Sequence, residues 1–459
     1  MIQIDLLPDD ALLGIFHFYV IMGKSLRVVK GIHAWQSLVH VCRRWRNLVF
    51  QWPRHLKLRL VCTPNTPPGT LDIWPSLPLV AYGRIFSSRP TDNIIAALGQ
   101  SSRVYRVSLS DVADQQLGQV LAAMQVPFPE LKALELSSNG ETPPVIPDSF
   151  LGGSVPRLRF IDFSGIPFPG LPKLLLNTTL LVELKLCKIP HSGYISPEAI
   201  VALLPVLSSL RTLYIQFQSP QSRPDQDTRH PPPPRRSILP FLHDFRFQGV
   251  TEYLEDLVSF IDAPRLHIMR IHFFDQISFD CPQLGQFINR VPKLGKCDEA
   301  AVRFDDPTRI VLQYRESNSG SFQIFVPRRK PTDLWLSSVA QVCNSLPSVE
   351  AVEYLNLEYH RSSGLNWQND VIEDSLWLQL LLPFTAVESF YISYEFAPGI
   401  VAALDGLRDN ARVAEVLPSL QDIVLEEVEW EPSEDLLDHH GYFFSMRELS
   451  GHPINVSVR

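Results

Sequence analysis

The sequence LKALEL at residues 131–136 has apolar side chains at its first, fourth and sixth positions. This phrase returns along the chain, and its five clearest copies begin at Val104, Leu131, Leu158, Leu181 and Leu210. These copies begin 27, 27, 23 and 29 residues apart. Weaker copies begin at Leu242, Leu266, Val387 and Leu420, and residues 349–359 hold one more in an uncertain register. A short phrase at near-constant spacing predicts repeats that each contribute one strand.

Helical stretches separate the strand phrases. The clearest are residues 112–125, 196–208, 251–262, 334–345 and 400–417. A short strand and a helix cannot bury their apolar sides alone, so stacked units would share one continuous core. The sequence therefore predicts an α/β fold in which a curved parallel sheet carries helices on its outer side. An ordinary α/β domain with parallel strands is the alternative, and we favour the stacked repeats.

The repeat region resembles leucine-rich repeat domains, whose units are about 20–29 residues long. The spacing in this chain is irregular, and the asparagine that usually follows the strand is mostly absent. The resemblance implies a solenoid whose concave strand face would hold a partner.

Two amphipathic segments stand near the beginning of the chain. In LVHVCRRWRNLVFQW, residues 38–52, the apolar side chains recur every three or four positions, which predicts one helical face. These side chains are Leu38, Val41, Cys42, Trp45, Leu48, Val49 and Trp52. LPDDALLGIF, residues 7–16, predicts a second helix with Pro8 in its first turn and an apolar stripe of Leu12, Ile15, Phe16 and Tyr19. Helices this short must pack on each other, on a third helix or on a partner.

The two segments together resemble the F-box, a helical module that docks a receptor onto the Skp-type adaptor of a cullin ubiquitin ligase. The resemblance covers about the first 55 residues. Residues 20–31 look like an insertion that widens the motif. The widened motif resembles the F-boxes of a large, expanded fungal group of proteins with repeat-containing C-terminal regions. By this resemblance, seven residues would contact the adaptor: Leu7, Pro8, Ile15, Phe16, Val41, Cys42 and Trp45.

The sequence divides into an F-box at residues 1–55, a connecting segment at 56–102 and a leucine-rich-repeat-like domain at 103–459. Within the last of these, residues 219–237 are rich in Pro, Gln and charge, which predicts a mobile insertion. Residues 56–62 are predicted to form a strand leaving the F-box.

Charge is unevenly distributed along a chain of net charge −8. Residues 11–71 contain nine basic side chains and no acid, and residues 415–438 contain nine acids and no Lys or Arg. The basic stretch suits an acidic partner such as the adaptor. We slightly favour the other explanation, in which both stretches are solvated faces or attract each other.

The sequence offers no pattern for catalysis, metal or cofactor binding. P-loop, Rossmann, HExxH and GxSxG motifs are absent, and the six cysteines form no CxxC pair. Cys187 and Cys281 have no evident neighbouring base, and the adjacent His439 and His440 would diverge on any regular element. We therefore expect a protein that is not an enzyme, holds no cofactor, spans no membrane and resides in the cytoplasm or nucleus.

Three hypotheses for function remain open. The first is a substrate receptor of a cullin-type ligase, in which the F-box binds adaptor and cullin and the repeats bind a target protein. The second is a repeat scaffold in which the F-box is only an intramolecular cap. The third, nucleic-acid binding by the basic N-terminal stretch, is weaker because no exposed aromatics are interleaved with the bases.

Overall fold

We analysed a computed structural model of the chain. It describes residues 7–22, 34–67, 69–74, 76–86, 90–220, 236–295, 297–313, 321–329, 332–359, 372–407, 413, 415–426 and 442–458. Internal contacts divide the chain into two units, Met1–Tyr194 and Ile195–Arg459. Residues 221–235 of the predicted insertion, 427–438 of the acidic stretch and 23–33 of the widened F-box lie outside the described residues.

The first unit begins with three helices: α1 (Asp9–Met22), α2 (Ala34–Val39) and α3 (Arg43–Gln51). The prediction of one helix over residues 38–52 is wrong, because α2 ends at Val39 and a turn separates it from α3. Cys42 is extended (φ −156°, ψ 170°), and its Sγ accepts the N–H of Trp45 at 3.5 Å. Cys42 thereby caps a new helix. The side chain of Arg46 donates to the carbonyl of Val39 at 2.9 Å, at the end of the preceding helix.

Six strands of the first unit pair in parallel and in sequence order. They are β1 (Leu60–Cys62), β2 (Leu79–Arg84), β3 (Val104–Val112), β4 (Ala133–Ser138), β5 (Phe160–Ser164) and β6 (Glu183–Ile189). The segments that connect these strands contain α4 (Thr70–Ile73), α5 (Asp92–Leu98), α6 (Asp114–Ala123) and α7 (Leu171–Leu175), with 3-10 turns at Ser101–Arg103 and Phe150–Gly153. A further 3-10 turn at His191–Gly193 follows β6. Since β1 and β2 belong to this sheet, residues 56–102 contribute strands as well as a connection.

The apolar phrase forms the core of this sheet. Leu134 of β4 pairs with Ile161 of β5, which pairs with Leu184 of β6, and all three are buried. Leu131 and Leu158, the first residues of two phrases, are fully buried just before their strands. Each repeat therefore adds one layer to the same apolar stack.

The second unit continues the pattern of strand and return. Its strands are β7 (Thr212–Phe217), β8 (Ser237–Ile238), β9 (Asp244–Gly249), β10 (Ile261–Asp262), β11 (Ile268–Phe273), β12 (Glu299–Phe304), β13 (Thr308–Gln313), β14 (Ser321–Val326), β15 (Tyr354–Tyr359), β16 (Ser389–Ile392), β17 (Asp422–Leu425) and β18 (Asn455–Val458). Its helices are α8 (Pro197–Val201), α9 (Thr251–Ser259), α10 (Pro282–Asn289), α11 (Thr332–Asn344), α12 (Asp374–Leu381), α13 (Ala397–Asp405) and α14 (Tyr442–Leu449), with a 3-10 turn at Pro347–Ala351.

A three-stranded meander interrupts the regular order of this unit. The main sheet runs β7-β9-β11-β14-β13-β12-β15-β16-β17-β18, and β8 pairs with β10 in a separate small sheet. In the meander, β13 is antiparallel to both β12 and β14, whereas β14 lies parallel to β11 and β12 parallel to β15. The meander of β12, β13 and β14 therefore leaves the strands that follow it parallel to the strands that precede it.

The mixed α/β class with a largely parallel sheet and helical returns is confirmed. No helix in the described parts of the chain has both the length and the apolar composition needed to cross a bilayer.

Candidate partner-binding surfaces

Helix α1 is apolar on two faces, although the sequence pattern predicted one stripe. Leu12 and Phe16 point inward and are at most 1% exposed. Beside them on the helix, Ile15, Phe18 and Tyr19 are 50%, 64% and 46% exposed. Their spacing of three and four residues makes them neighbours on the helix surface. We call these three residues the α1 ridge, and such a row of large exposed apolar side chains is typical of a docking surface.

The buried face of α1 holds the helical module together. The rings of Phe16 and Trp45 pack with their centroids 4.7 Å apart, and Phe16 has no exposed surface. Arg44 of α3 donates from its Nη2 to the Asp9 carboxylate and to the Leu7 carbonyl, each at 2.6 Å. The start of α1 is thus tied to α3, which fixes the direction in which the α1 ridge points.

The turn between α2 and α3 exposes a further apolar residue. Val41 is 58% exposed, because the turn removes it from the helical face that the periodicity predicted. Cys42 beside it is half-buried and serves as the cap of α3.

Of the seven predicted adaptor contacts, the structure therefore exposes Pro8, Ile15 and Val41. Leu7, Cys42 and Trp45 are half-buried, and Phe16 lies inside the module. The sequence analysis did not include Phe18, the most exposed side chain of the ridge, among the predicted adaptor contacts. It stands three positions after Ile15, so a search for a second apolar face on α1 would have found it.

An aromatic cluster packs the module onto the beginning of the first sheet. Trp35 of α2 is 1% exposed, and its Nε1 donates to the carbonyl of Arg59 at 2.9 Å, just before β1. The Trp35 ring lies edge-on to Phe50 and Trp74, at centroid distances of 6.0 and 5.2 Å. The module is therefore integrated into the first unit through α2, while the α1 ridge stays open.

The second unit presents a cationic patch on the open face of its sheet. His272 of β11 stacks on Phe325 of β14 with centroids 3.9 Å apart and planes within 4°. On β13, the Arg309 guanidinium lies 5.2 Å from the same Phe325 ring. Arg270, two residues before His272, completes the set. We call these four residues the arginine face.

The arginines of this face lack anionic partners. The Nε atoms of Arg270 and Arg309 are buried and make no hydrogen bond, and neither side chain has an ion pair within the described residues. Burial, followed by the charges of the two arginines, lowers the pKa of His272 below its ordinary value. A guanidinium group that lies over an aromatic ring and has no ion-pair partner among the described residues, as is the case for Arg309, is suited to carboxylate or phosphoryl groups.

On the open face of the sheet in the first unit, by contrast, the charged side chains are paired with one another. Glu135 of β4 accepts from Arg106 and from Ser108, the latter at 2.6 Å, and Lys185 pairs with Glu183 on β6. Burial raises the pKa of the Asp162 carboxyl between them; Lys185 opposes this shift, and the two glutamates add to it. On this face, Arg106 and Lys185 are therefore paired with acidic side chains of the same face.

The structure offers little support for chemistry at the other residues considered. The described residues contain no cluster of metal-ligating side chains. Burial raises the pKa of the Cys187 thiol to about 11 and also raises that of Cys281, which disfavours a nucleophilic thiolate at neutral pH. His439 and His440 lie outside the described residues.

Comparison with known proteins yields similarity to solved structures but no family. No family model matches the chain, and no curated protein matches it. Among solved structures it is similar to the leucine-rich repeat-containing protein LegL7 from Legionella pneumophila, with 14% sequence identity and a TM-score of 0.26. The match covers 85% of this chain and 98% of that chain. Similarity at this level carries neither the fold nor the function of that protein over to this chain.

Proposed function

We propose that this protein is a non-catalytic receptor that docks through its N-terminal helices onto the Skp-type adaptor of a cullin ubiquitin ligase and holds a target protein on its repeats. The observation that carries the proposal is the α1 ridge. The described chain buries one side of α1 and leaves Ile15, Phe18 and Tyr19 open, as a docking helix requires.

The receptor would act by proximity. Tethering a target beside the recruited conjugating enzyme raises the effective concentration of its lysines, so this chain need not supply a catalytic group. The arginine face is the proposed target-binding surface, because its unpaired guanidinium groups suit an acidic or phosphorylated segment.

The adaptor assignment is tested by Ile15→Asp in the full chain. A carboxylate at the centre of the ridge would have to be desolvated in an apolar interface, so binding should weaken by about 2 kcal/mol or more, roughly thirtyfold. The matched control is Val145→Asp, because Val145 is also 50% exposed in the first unit but lies outside the module. Co-purification with the adaptor is the measurement, and full retention by Ile15→Asp contradicts the proposal.

The packing of Trp35 favours a second candidate, a scaffold in which the three helices only cap the first sheet. A cap predicts that the unaltered chain does not bind the adaptor at all. It also predicts that removal of residues 1–55 unfolds the first unit, whereas Ile15→Asp leaves every binding activity intact. Adaptor capture by the unaltered chain, lost in Ile15→Asp, excludes this candidate.

A further inference from the structure

A basic cleft lies in the first unit, and none of its lining residues belongs to the α1 ridge. It has a volume of about 980 Å³ and is lined by residues that lie before or at the start of strands β1 to β5. Six cationic side chains line it: Arg54, Lys57, Arg59, Arg103, Lys132 and Arg157. Glu130 is the one acid among the lining residues. The cleft is therefore strongly positive within a chain whose net charge is −8.

Two of the six cations have structural partners. Arg157 pairs with Glu130 at 2.5 Å, and Arg103 donates to the Leu77 carbonyl at 3.0 Å. Arg157 neutralises Glu130, which is the one acid of the lining. The other five cations of the lining therefore remain as excess positive charge.

The remaining four cations have no carboxylate partner among the described residues. Arg59 and Lys132 lie over the Tyr105 ring, with the Arg59 Cζ 3.8 Å and the Lys132 Nζ 5.1 Å from its centroid. Contact with the same ring keeps both positive charges at this cleft, although like charges repel. An arrangement of this kind is stabilised when an anion enters.

We propose that this cleft binds a compact polyanion that carries several phosphate groups. Its volume lies at the upper end of ordinary small-molecule sites, which are about 300–1,000 Å³. The cations come from several successive repeats, which suits a ligand with several separated charges better than a single carboxylate. Nucleic acid fits less well, because Arg59 and Lys132 already engage the Tyr105 ring and leave it less open to stack a base.

The lining of this site shares no residue with the α1 ridge, so different substitutions test the two proposals. Arg59 and Lys132 are also suitable for substitution, because both are half-exposed. The one hydrogen bond at Arg59 in the described structure is accepted by its backbone carbonyl from Trp35, which a change of side chain leaves in place.

The test is isothermal titration calorimetry of the full chain with sodium tripolyphosphate at constant ionic strength. We expect saturable binding to one site, and we expect the double variant Arg59→Gln, Lys132→Gln to weaken it about tenfold or more. The control double variant Arg84→Gln, Lys173→Gln removes the same charge from exposed positions of the first unit outside the cleft and should change affinity by less than about twofold.

Thermal melting of each variant verifies that it is folded. Absence of binding by the unaltered chain overturns the proposal, and so does equal weakening in the two double variants, since that pattern reports non-specific charge attraction. A single-stranded oligonucleotide forms the second arm. Tight oligonucleotide binding that depends on Arg59 and Lys132, with no binding of tripolyphosphate, would reassign the cleft to nucleic acid and also overturn the proposal.

Discussion

At the scale of single residues, Phe16 and Phe18 share a helix but have opposite environments. Phe16 is fully buried against Trp45, and Phe18 is 64% exposed. We expect Phe16→Ala to lower the free energy of unfolding of the first unit by about 3–5 kcal/mol, because it leaves a cavity. Phe18→Ala should change it by less than about 0.5 kcal/mol. Urea unfolding followed by tryptophan fluorescence measures both, and equal losses would contradict this placement of the helix.

A second residue-scale prediction concerns Asp162. Its pKa is raised, mainly by burial, so the charged form is less stable in the folded state than in the unfolded chain. Its unfavourable contribution is therefore absent below the ordinary value of 3.8 and appears as the pH rises through the raised folded value. Asp162→Asn should raise the melting temperature at pH 7.5, and the gain should shrink toward about pH 4. A gain that is independent of pH would refute this explanation.

The candidate site was predictable from the sequence only in part, for a reason visible at single residues. The motif located α1 but merged α2 with α3, and periodicity cannot tell which apolar side chains face inward when a helix is apolar on two sides. Ile15 and Phe16 are adjacent in the motif, yet one is 50% exposed and the other is fully buried. The arginine face was out of reach because strand pairing brings together residues that are distant in sequence, such as His272 and Phe325.

At the scale of elements, the break between α2 and α3 shows how a cap overrides periodicity. The apolar spacing of residues 38–52 continues through the turn, so the pattern alone predicts one helix. Cys42 instead adopts an extended conformation and caps α3 with its sulfur. Cys42→Ala should destabilise the module by about 1 kcal/mol, whereas Cys42→Ser should be neutral or stabilising because a hydroxyl is the better cap. Thermal unfolding distinguishes the two variants, and equal losses would argue against capping.

The strands divide into predicted and missed groups for a related reason. The apolar phrase located the strands from β3 to β7 as well as β9, β11, β16 and β17, since each repeat must bury the same positions. The meander of β12, β13 and β14 escaped, because β13 runs antiparallel and carries no copy of the phrase. A phrase search detects elements that repeat, and an inserted meander does not repeat.

At the scale of the whole molecule, the proposed function assigns separate tasks to surfaces in separate units. The α1 ridge lies in the first unit and the arginine face in the second. A chain that works by proximity needs both tasks at once, although neither surface has to influence the other. The two losses of function should therefore be separable by substitution in the intact chain.

We accordingly expect each set of substitutions to impair one binding activity and to leave the other unchanged. Arg270→Gln with Arg309→Gln should abolish recovery of ubiquitin conjugates with the chain but leave adaptor binding unchanged, because only the proposed target surface loses its cations. Ile15→Asp should weaken adaptor binding by about thirtyfold or more and leave binding of an acidic phosphopeptide to the arginine face unchanged. Arg265→Gln with Lys293→Gln, which removes the same charge from exposed positions beside β11, serves as the control. If the arginine pair behaves like this control, target binding does not occur at the arginine face.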